Sequence, residues 1–303
     1  MQGSVGYNLG FAAAVCLVCA VVVSSAAVAL GDRQERNAAL DRQRNVLLAA
    51  GLADDGERLD AEAVAARSAA VTPVVVTLST GGVAEDVDPA GFDQRAASID
   101  ADRSAPAPDN VAGIQRLPRE ALVYEARDGA GRVDLVVLPV EGLGLWGTLY
   151  GFVALEGDLR TIRGLTFYEH KETPGLGGEV DNPRWKALWP GRLAFDDDLS
   201  PAVAVVKGPA GGVDEAPYAV DGLSGATITS RGVTNLLRFW LGPDGFGPYL
   251  TRLRNEQSEP RTARTTGGSA GRQPSRGRRL APAERPARTQ GRAAAISGLG
   301  DGG

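Results

Sequence analysis

Ten residues, Asp221–Ser230 (DGLSGATITS), gather small and hydroxyl side chains directly ahead of an apolar helical pattern. Gly222 and Gly225 permit tight or left-handed backbone. A helix start presents free N–H groups and a partial positive charge, and that combination suits a phosphate. A plainer reading stands beside it, in which Thr229 or Ser230 caps a helix after a glycine turn. The stretch lacks the lysine of a P-loop and the spacing of a dinucleotide fingerprint. A second stretch, Tyr168–Trp189 (YEHKETPGLGGEVDNPRWKALW), runs a strand into the turn Glu172–Gly175 and then into Leu176–Gly178. Backbone bared by those glycines can approach a flat ligand, although a plain connecting loop has the same composition. His170 is a possible base, but no Ser or Cys nucleophile signature accompanies it.

Composition narrows the chemistry. Cys16 and Cys19 are the two cysteines of 303 residues, which excludes a disulfide-stapled domain and a Cys-rich metal site. With His170 as the single histidine, a His-ligated metal centre is also unexpected, and no metal ligand is assigned. The net charge of −5 hides two opposed parts. Residues 1–251 hold 21 basic and 33 acidic side chains, and residues 252–303 hold 11 Arg and 4 acids. The body is acidic and the end of the chain basic, so whole-chain pI misleads.

The elements that must position these residues read as follows. Residues 1–31 carry no charged side chain, and Leu9–Leu30 is a 22-residue apolar run, the length that crosses a bilayer. A cleaved secretory signal would need a basic start and a shorter apolar core, so an uncleaved anchor is expected. Arg33, Arg36, Arg42 and Arg44 follow it and weakly favour a cytoplasmic side, but Asp32, Glu35 and Asp41 interleave them. Cys16 and Cys19 share a face of the span, as a thiol pair or as two small packing residues. Next come a polar helix over Gly31–Leu52 ended by Gly51, and a short acidic helix within 53–70. Residues 71–120 show little beyond the β-branched run Thr72–Leu78. Strands are expected at Ala121–Ala126, Arg132–Val140, Trp146–Glu156 and Thr161–Glu169, with short turns that suggest an antiparallel meander. A short helix at Pro183–Trp189, a strand at Ala202–Lys207 and a helix at Ser230–Leu241 complete the body, the last with Val233, Leu236, Leu237, Trp240 and Leu241 on one face. From about Arg254 the chain is rich in Arg, Gly, Pro and Ser, and disorder is expected. That tail lacks the aromatics that stack on bases, so acidic partners or anionic lipid suit it better than nucleic acid.

DGLSGAT resembles the flavinylation motif D-x-x-S/T-G-A-T, whose last Thr, here Thr227, is esterified to FMN phosphate. Residues 142–156 (GLGLWGTLYGFVALE) and 167–191 (FYEHKETPGLGGEVDNPRWKALWPG) closely resemble the NqrC family, the C subunits of the Na⁺-translocating NADH:quinone oxidoreductase (Nqr). The resemblance is strong over Gly142–Gly242 and loose over 53–120, and the Arg-rich tail is not expected of the family. It implies an α+β chain: an anchor helix at 1–31, an FMN-binding domain of mixed or antiparallel sheet with flanking helices at 32–251, and the tail at 252–303. It implies FMN covalently linked to Thr227, with Asp221, Gly222, Leu223, Ser224, Gly225 and Ala226 around it. Glu172, Thr173, Leu176 and Trp146 are candidate contacts to the ring, although a tryptophan such as Trp146 is as readily core. Lys207 is either a charge partner of the phosphate or flavin, or a solvated surface lysine. The implied role is an electron carrier between NADH and ubiquinone, coupled to Na⁺ export, in a complex with the A, B, D, E and F subunits of Nqr. A separate flavin transferase using FAD would attach the cofactor. The implied place is a bacterial inner membrane with the domain periplasmic, which overrides the weak charge signal. Two other readings remain: the similar G-type flavoprotein of the Rnf complex, and a non-redox anchored binding module in which DGLSGAT is only a capped turn.

Overall fold

The computed structural model describes residues 5–258. Within them, α1 (Val5–Ala49) is one unbroken helix. Its part Val5–Gly31 has a mean hydropathy of 2.6 and the length to cross a membrane. Cys16 and Cys19 both lie exposed on that part. The separate polar helix expected after the span is not separate: the helix runs straight through Gly31. Residues 5–49 hold no proline, and one interior glycine costs a helix only about 1 kcal/mol.

α2 (Ala61–Ser68), capped by the Asp60 side chain, leads into β1 (Thr72–Thr77). The poorly patterned region then folds as α3 (Gln94–Ile99) and the short antiparallel pair β2 (Ser104–Pro106) and β3 (Arg116–Pro118). β4 (Glu120–Arg127), β5 (Val133–Leu143), β6 (Thr148–Glu156) and β7 (Ile162–Glu169) form the expected antiparallel meander. β1 pairs antiparallel with β4, so the sheet order is β1-β4-β5-β6-β7. α4 (Pro183–Lys186) follows, then β8 (Ala204–Val205) and β9 (Ala219–Val220), which pair in parallel. α5 (Thr227–Leu241) and α6 (Gly247–Ser258) complete the described chain.

Both faces of the sheet are covered, which explains why β5 reads as a nearly continuous apolar run. Leu135 and Val137 of β5, with Phe152 and Ala154 of β6, pack against Val46, Ala49 and Ala50 at the end of α1. Their neighbours Val136, Leu138, Val140, Val153 and Leu155 point the other way, into the main core with α5 and α6. Asn45, also buried, accepts a hydrogen bond from Thr166 Oγ1 of β7 at 3.2 Å, which fixes α1 to the sheet. On the opposite face, Trp240 Nε1 of α5 donates to the Glu141 carbonyl of β5 at 2.8 Å. That bond lays α5 along β5 and brings its first turn to the β5–β6 turn.

The compositional boundary at 252 does not end the ordered body. α6 runs on to Ser258, with Leu253 fully buried and Tyr249 Oη donating to Glu125 Oε1 at 2.6 Å. The remainder of the expected tail lies outside the described residues.

Candidate functional site

α5 begins at Thr227, not at Ser230. The sequence signal misplaces the start because both hydroxyls that read as caps are used elsewhere. Thr229 Oγ1 donates to Glu172 Oε2, and Ser230 Oγ accepts from the Leu223 N–H at 3.1 Å. The residue at the cap position is Ala226, which offers no side-chain acceptor. Ser230 N–H reaches the Ala226 carbonyl, whereas the N–H groups of Thr227, Ile228 and Thr229 meet no acceptor among the described residues. A helix start with open donors and no cap attracts an anion, by roughly 0.3–1 kcal/mol where exposed. Thr227, expected in the loop before a helix, is the first helical residue, and its side chain is exposed.

The turn before it has two glycines with distinct duties. Gly225 sits at φ +72, a left-handed conformation, and a Cβ there would press on Leu176 Cδ2 at 2.9 Å. Gly222 donates to the Gly208 carbonyl at 2.9 Å, and a Cβ there would clash with the Val206 carbonyl. The motif backbone is therefore laid directly on residues 206–208. Asp221 holds the same junction: its Oδ1 accepts from Ala210 N–H at 2.8 Å and its carbonyl accepts from Trp185 Nε1 at 2.9 Å. Leu223 and Ala226 are buried beneath, and Ser224 is exposed.

One side of Thr227 opens into a cavity of about 680 Å³, lined among others by Lys207, Gly222, Ser224 and Arg231. Lys207 and Arg231 are both exposed, and neither forms an ion pair among the described residues. Sequence reasoning misses Arg231. Its position four residues after Thr227 places both on one flank of the helix, a spacing legible only once the helix start is known.

Nearby lies an apolar rim. Trp146, expected as the first residue of a strand, stands instead in the β5–β6 turn and is 66% exposed, because β6 starts at Thr148. Leu176 beside Gly225 is 45% exposed and Ile228 on α5 is 54% exposed. Single exposed apolar residues are ordinary, but three of them on the β5–β6 turn, the Glu172 loop and the first turn of α5 suit a flat ligand. Thr173 is exposed, and its carbonyl accepts from Leu176 and Gly178 N–H to close the turn. Glu172, adjacent in sequence, is buried, and its carboxylate faces inward. His170 is likewise engaged: Nδ1 accepts from the Glu172 N–H at 3.2 Å, and Nε2 meets Asp181 Oδ2 at 2.7 Å.

These parts fit a phosphate with an aromatic group attached. Open N–H donors and two cations outside any ion pair among the described residues suit the phosphate, the exposed Thr227 hydroxyl suits a phosphoester, and the apolar rim suits a ring.

The family model described as an FMN-binding domain matches residues 144–242, which span the β5–β6 turn, the Glu172 loop and all of α5. Among curated relatives, the C subunit of the Na⁺-translocating NADH-quinone reductase of Pseudomonas aeruginosa is 46% identical over 85% of this chain and 99% of its own length. The protein of the same name from Yersinia pestis is 45% identical over 83% of this chain and 94% of its own. Among solved structures, NqrC of Shewanella oneidensis superposes with a TM-score of 0.64 at 38% identity, covering 71% of this chain and 97% of that one. The structure of the same reductase component from Parabacteroides distasonis gives 0.56 at 26% identity, covering 73% and 97%.

Proposed function

The chain belongs to the NqrC family, the C subunits of the Na⁺-translocating NADH-quinone reductases, and from that premise we propose that it bears FMN as a phosphoester on Thr227 and relays electrons towards quinone. It is an FMN flavoprotein subunit of that oxidoreductase complex, anchored to a membrane through α1. The observation that carries the covalent reading is the exposed Thr227 hydroxyl at an uncapped helix start, between a cation-lined cavity and an apolar rim.

FMN supplies the redox chemistry at its ring; the chain supplies attachment, position and electrostatics. The three open N–H groups of α5 would hold the phosphate, and Lys207 and Arg231 would offset its charge. Ser224 adds a hydroxyl at the same cavity. Trp146, Leu176, Ile228 and Thr173, all exposed, would line the ring. Asp221 and Gly222 keep the motif pressed on residues 206–208, so Thr227 is presented on a stiff base.

Attachment is a substitution at phosphorus. With FAD as donor, supplied by a flavin transferase, this chain's part would be to present Thr227 Oγ1 as the nucleophile, the diphosphate P–O bond giving way and AMP leaving. The hydroxyl proton passes to the transferase or to solvent. Covalent linkage suits a relay on the periplasmic side of an inner membrane, where a dissociated FMN would be lost. In this arrangement residues 1–31 are the anchor and the domain begins at 32. Its partners are the A, B, D, E and F subunits of the complex.

The test is mass spectrometry of the full chain co-expressed with a flavin transferase. One FMN-phosphoryl increment is expected on the peptide holding Thr227, and none in Thr227→Ala. No increment at Thr227 sinks the covalent reading. Covalent flavin retained by Thr227→Ala moves the linkage to another residue.

A further inference from the structure

Glu172 is a carboxylate at 5% exposure in the loop after β7, with no cation paired to it among the described residues. A buried carboxylate without a cation is costly unless donors surround it. Here they come from two other elements. Oε1 accepts the Leu145 N–H at 3.0 Å and the Trp146 N–H at 2.9 Å, both in the β5–β6 turn. Oε2 accepts the hydroxyl of Thr229, in the first turn of α5. Glycines wall the slot. A Cβ on Gly144 would stand 2.6 Å from Oε1, and one on Gly177 would stand 2.5 Å from Oε2. One side chain therefore joins the turn that bears Trp146, the loop that bears Thr173 and Leu176, and the helix start that bears Thr227.

We propose that Glu172 is a positioning residue of the flavin site. Its carboxylate sets the separation and tilt between the Trp146 rim and the Thr227 linkage without touching the flavin. The proposal rests on the reading that Thr227 bears FMN. It differs from a ring-contact role for Glu172 in its consequence: the effect passes through Thr229 and through two backbone amides, so each of those can be probed on its own.

Hydrogen exchange on the unloaded full chain probes the amide arm. In Glu172→Ala the Leu145 and Trp146 amides exchange at least roughly tenfold faster, the loss of about one hydrogen bond each. Visible circular dichroism of the flavin in chain loaded by the transferase probes the geometry. Thr229→Val, which removes only the hydroxyl arm, changes the flavin band, and Thr229→Ser restores it. Unchanged exchange at both amides in a folded Glu172→Ala overturns the proposal. If Glu172→Ala does not fold, Thr229→Val decides alone, and an unchanged flavin band in that variant overturns the proposal. Flavin absent from wild-type Thr227 overturns the reading of function instead, an outcome the mass measurement separates from these two.

Discussion

Thr227 and Arg231 lie one turn apart on the same flank of α5 and line a single cavity, which Lys207 lines as well. In the proposed phosphoester on Thr227, this pair would bring positive charge to the phosphate. Replacing both cations, Lys207→Ala with Arg231→Ala, is expected to slow flavin attachment about fivefold, in line with ~1 kcal/mol for exposed charge partners. Raising salt to about 0.5 M should shrink the difference, because exposed charges are screened. Timed mass spectrometry of attachment at two ionic strengths checks both parts.

Gly222 admits no side chain without moving the backbone at Val206. Gly222→Ala should cost about 2 kcal/mol of stability, the scale of overpacking against unyielding backbone. It should also lower the yield of flavinylated chain. Denaturant unfolding and mass spectrometry on the same preparation read the two effects.

Tyr249 and Arg127 together satisfy the buried Glu125 carboxylate, Tyr249 Oη at 2.6 Å and Arg127 Nε at 2.7 Å. Burial, then the neighbouring Glu125, holds the Tyr249 hydroxyl protonated far above the ordinary tyrosine range. Tyr249→Phe removes one donor from a carboxylate that stays buried, so a loss of ~1–3 kcal/mol is expected by chemical denaturation. Flavin attachment should survive, since Glu125 lies on β4, away from Thr227.

Burial raises the Glu141 carboxyl above the usual range, partly opposed by Arg95. A raised carboxyl favours the folded state only while protonated. Stability from this group is therefore present below its unfolded value, 4.5, and is lost as pH rises through the higher folded value. Glu141→Gln should raise Tm at pH 7 and leave it unchanged near pH 4. A Tm gap that persists at pH 4 contradicts this account.

The strands β4 to β7 and the buried face of α5 are legible in the sequence because alternation and 3.6-residue periodicity are local, and those signals agree with the final packing. What escapes the sequence depends on distant partners. Thr229 and Ser230 look like caps, yet each bonds a group that only the fold supplies, so the helix starts three residues earlier, at Thr227. Trp146 reads as strand or core, and only the turn places it outside. The family resemblance offers Glu172, in its Gly-rich loop, as a ring contact. In the fold, Gly177 within that loop and Gly144 across from it make room for the carboxylate itself. Arg252 and Leu253 sit in a composition that reads as tail, but α6 carries them, with Arg252 Nε donating to the Gly81 carbonyl at 2.6 Å.

α1 reaches from Val5 to Ala49 in one piece, and its final turns are trapped under the sheet by Val46, Ala49 and Asn45. Between Gly31 and Asn45 a helix rises about 21 Å, at about 1.5 Å per residue. The domain thus stands on a mast instead of hanging from a leash. A coil of the same residues would let the domain roam, with a reach that grows as the square root of its length. A mast confines the domain to one altitude, with tilt and rotation as its freedoms. Under the proposed electron relay, a redox partner would have to meet the domain at that altitude, so the length of α1 would act as a ruler for the spacing of redox centres.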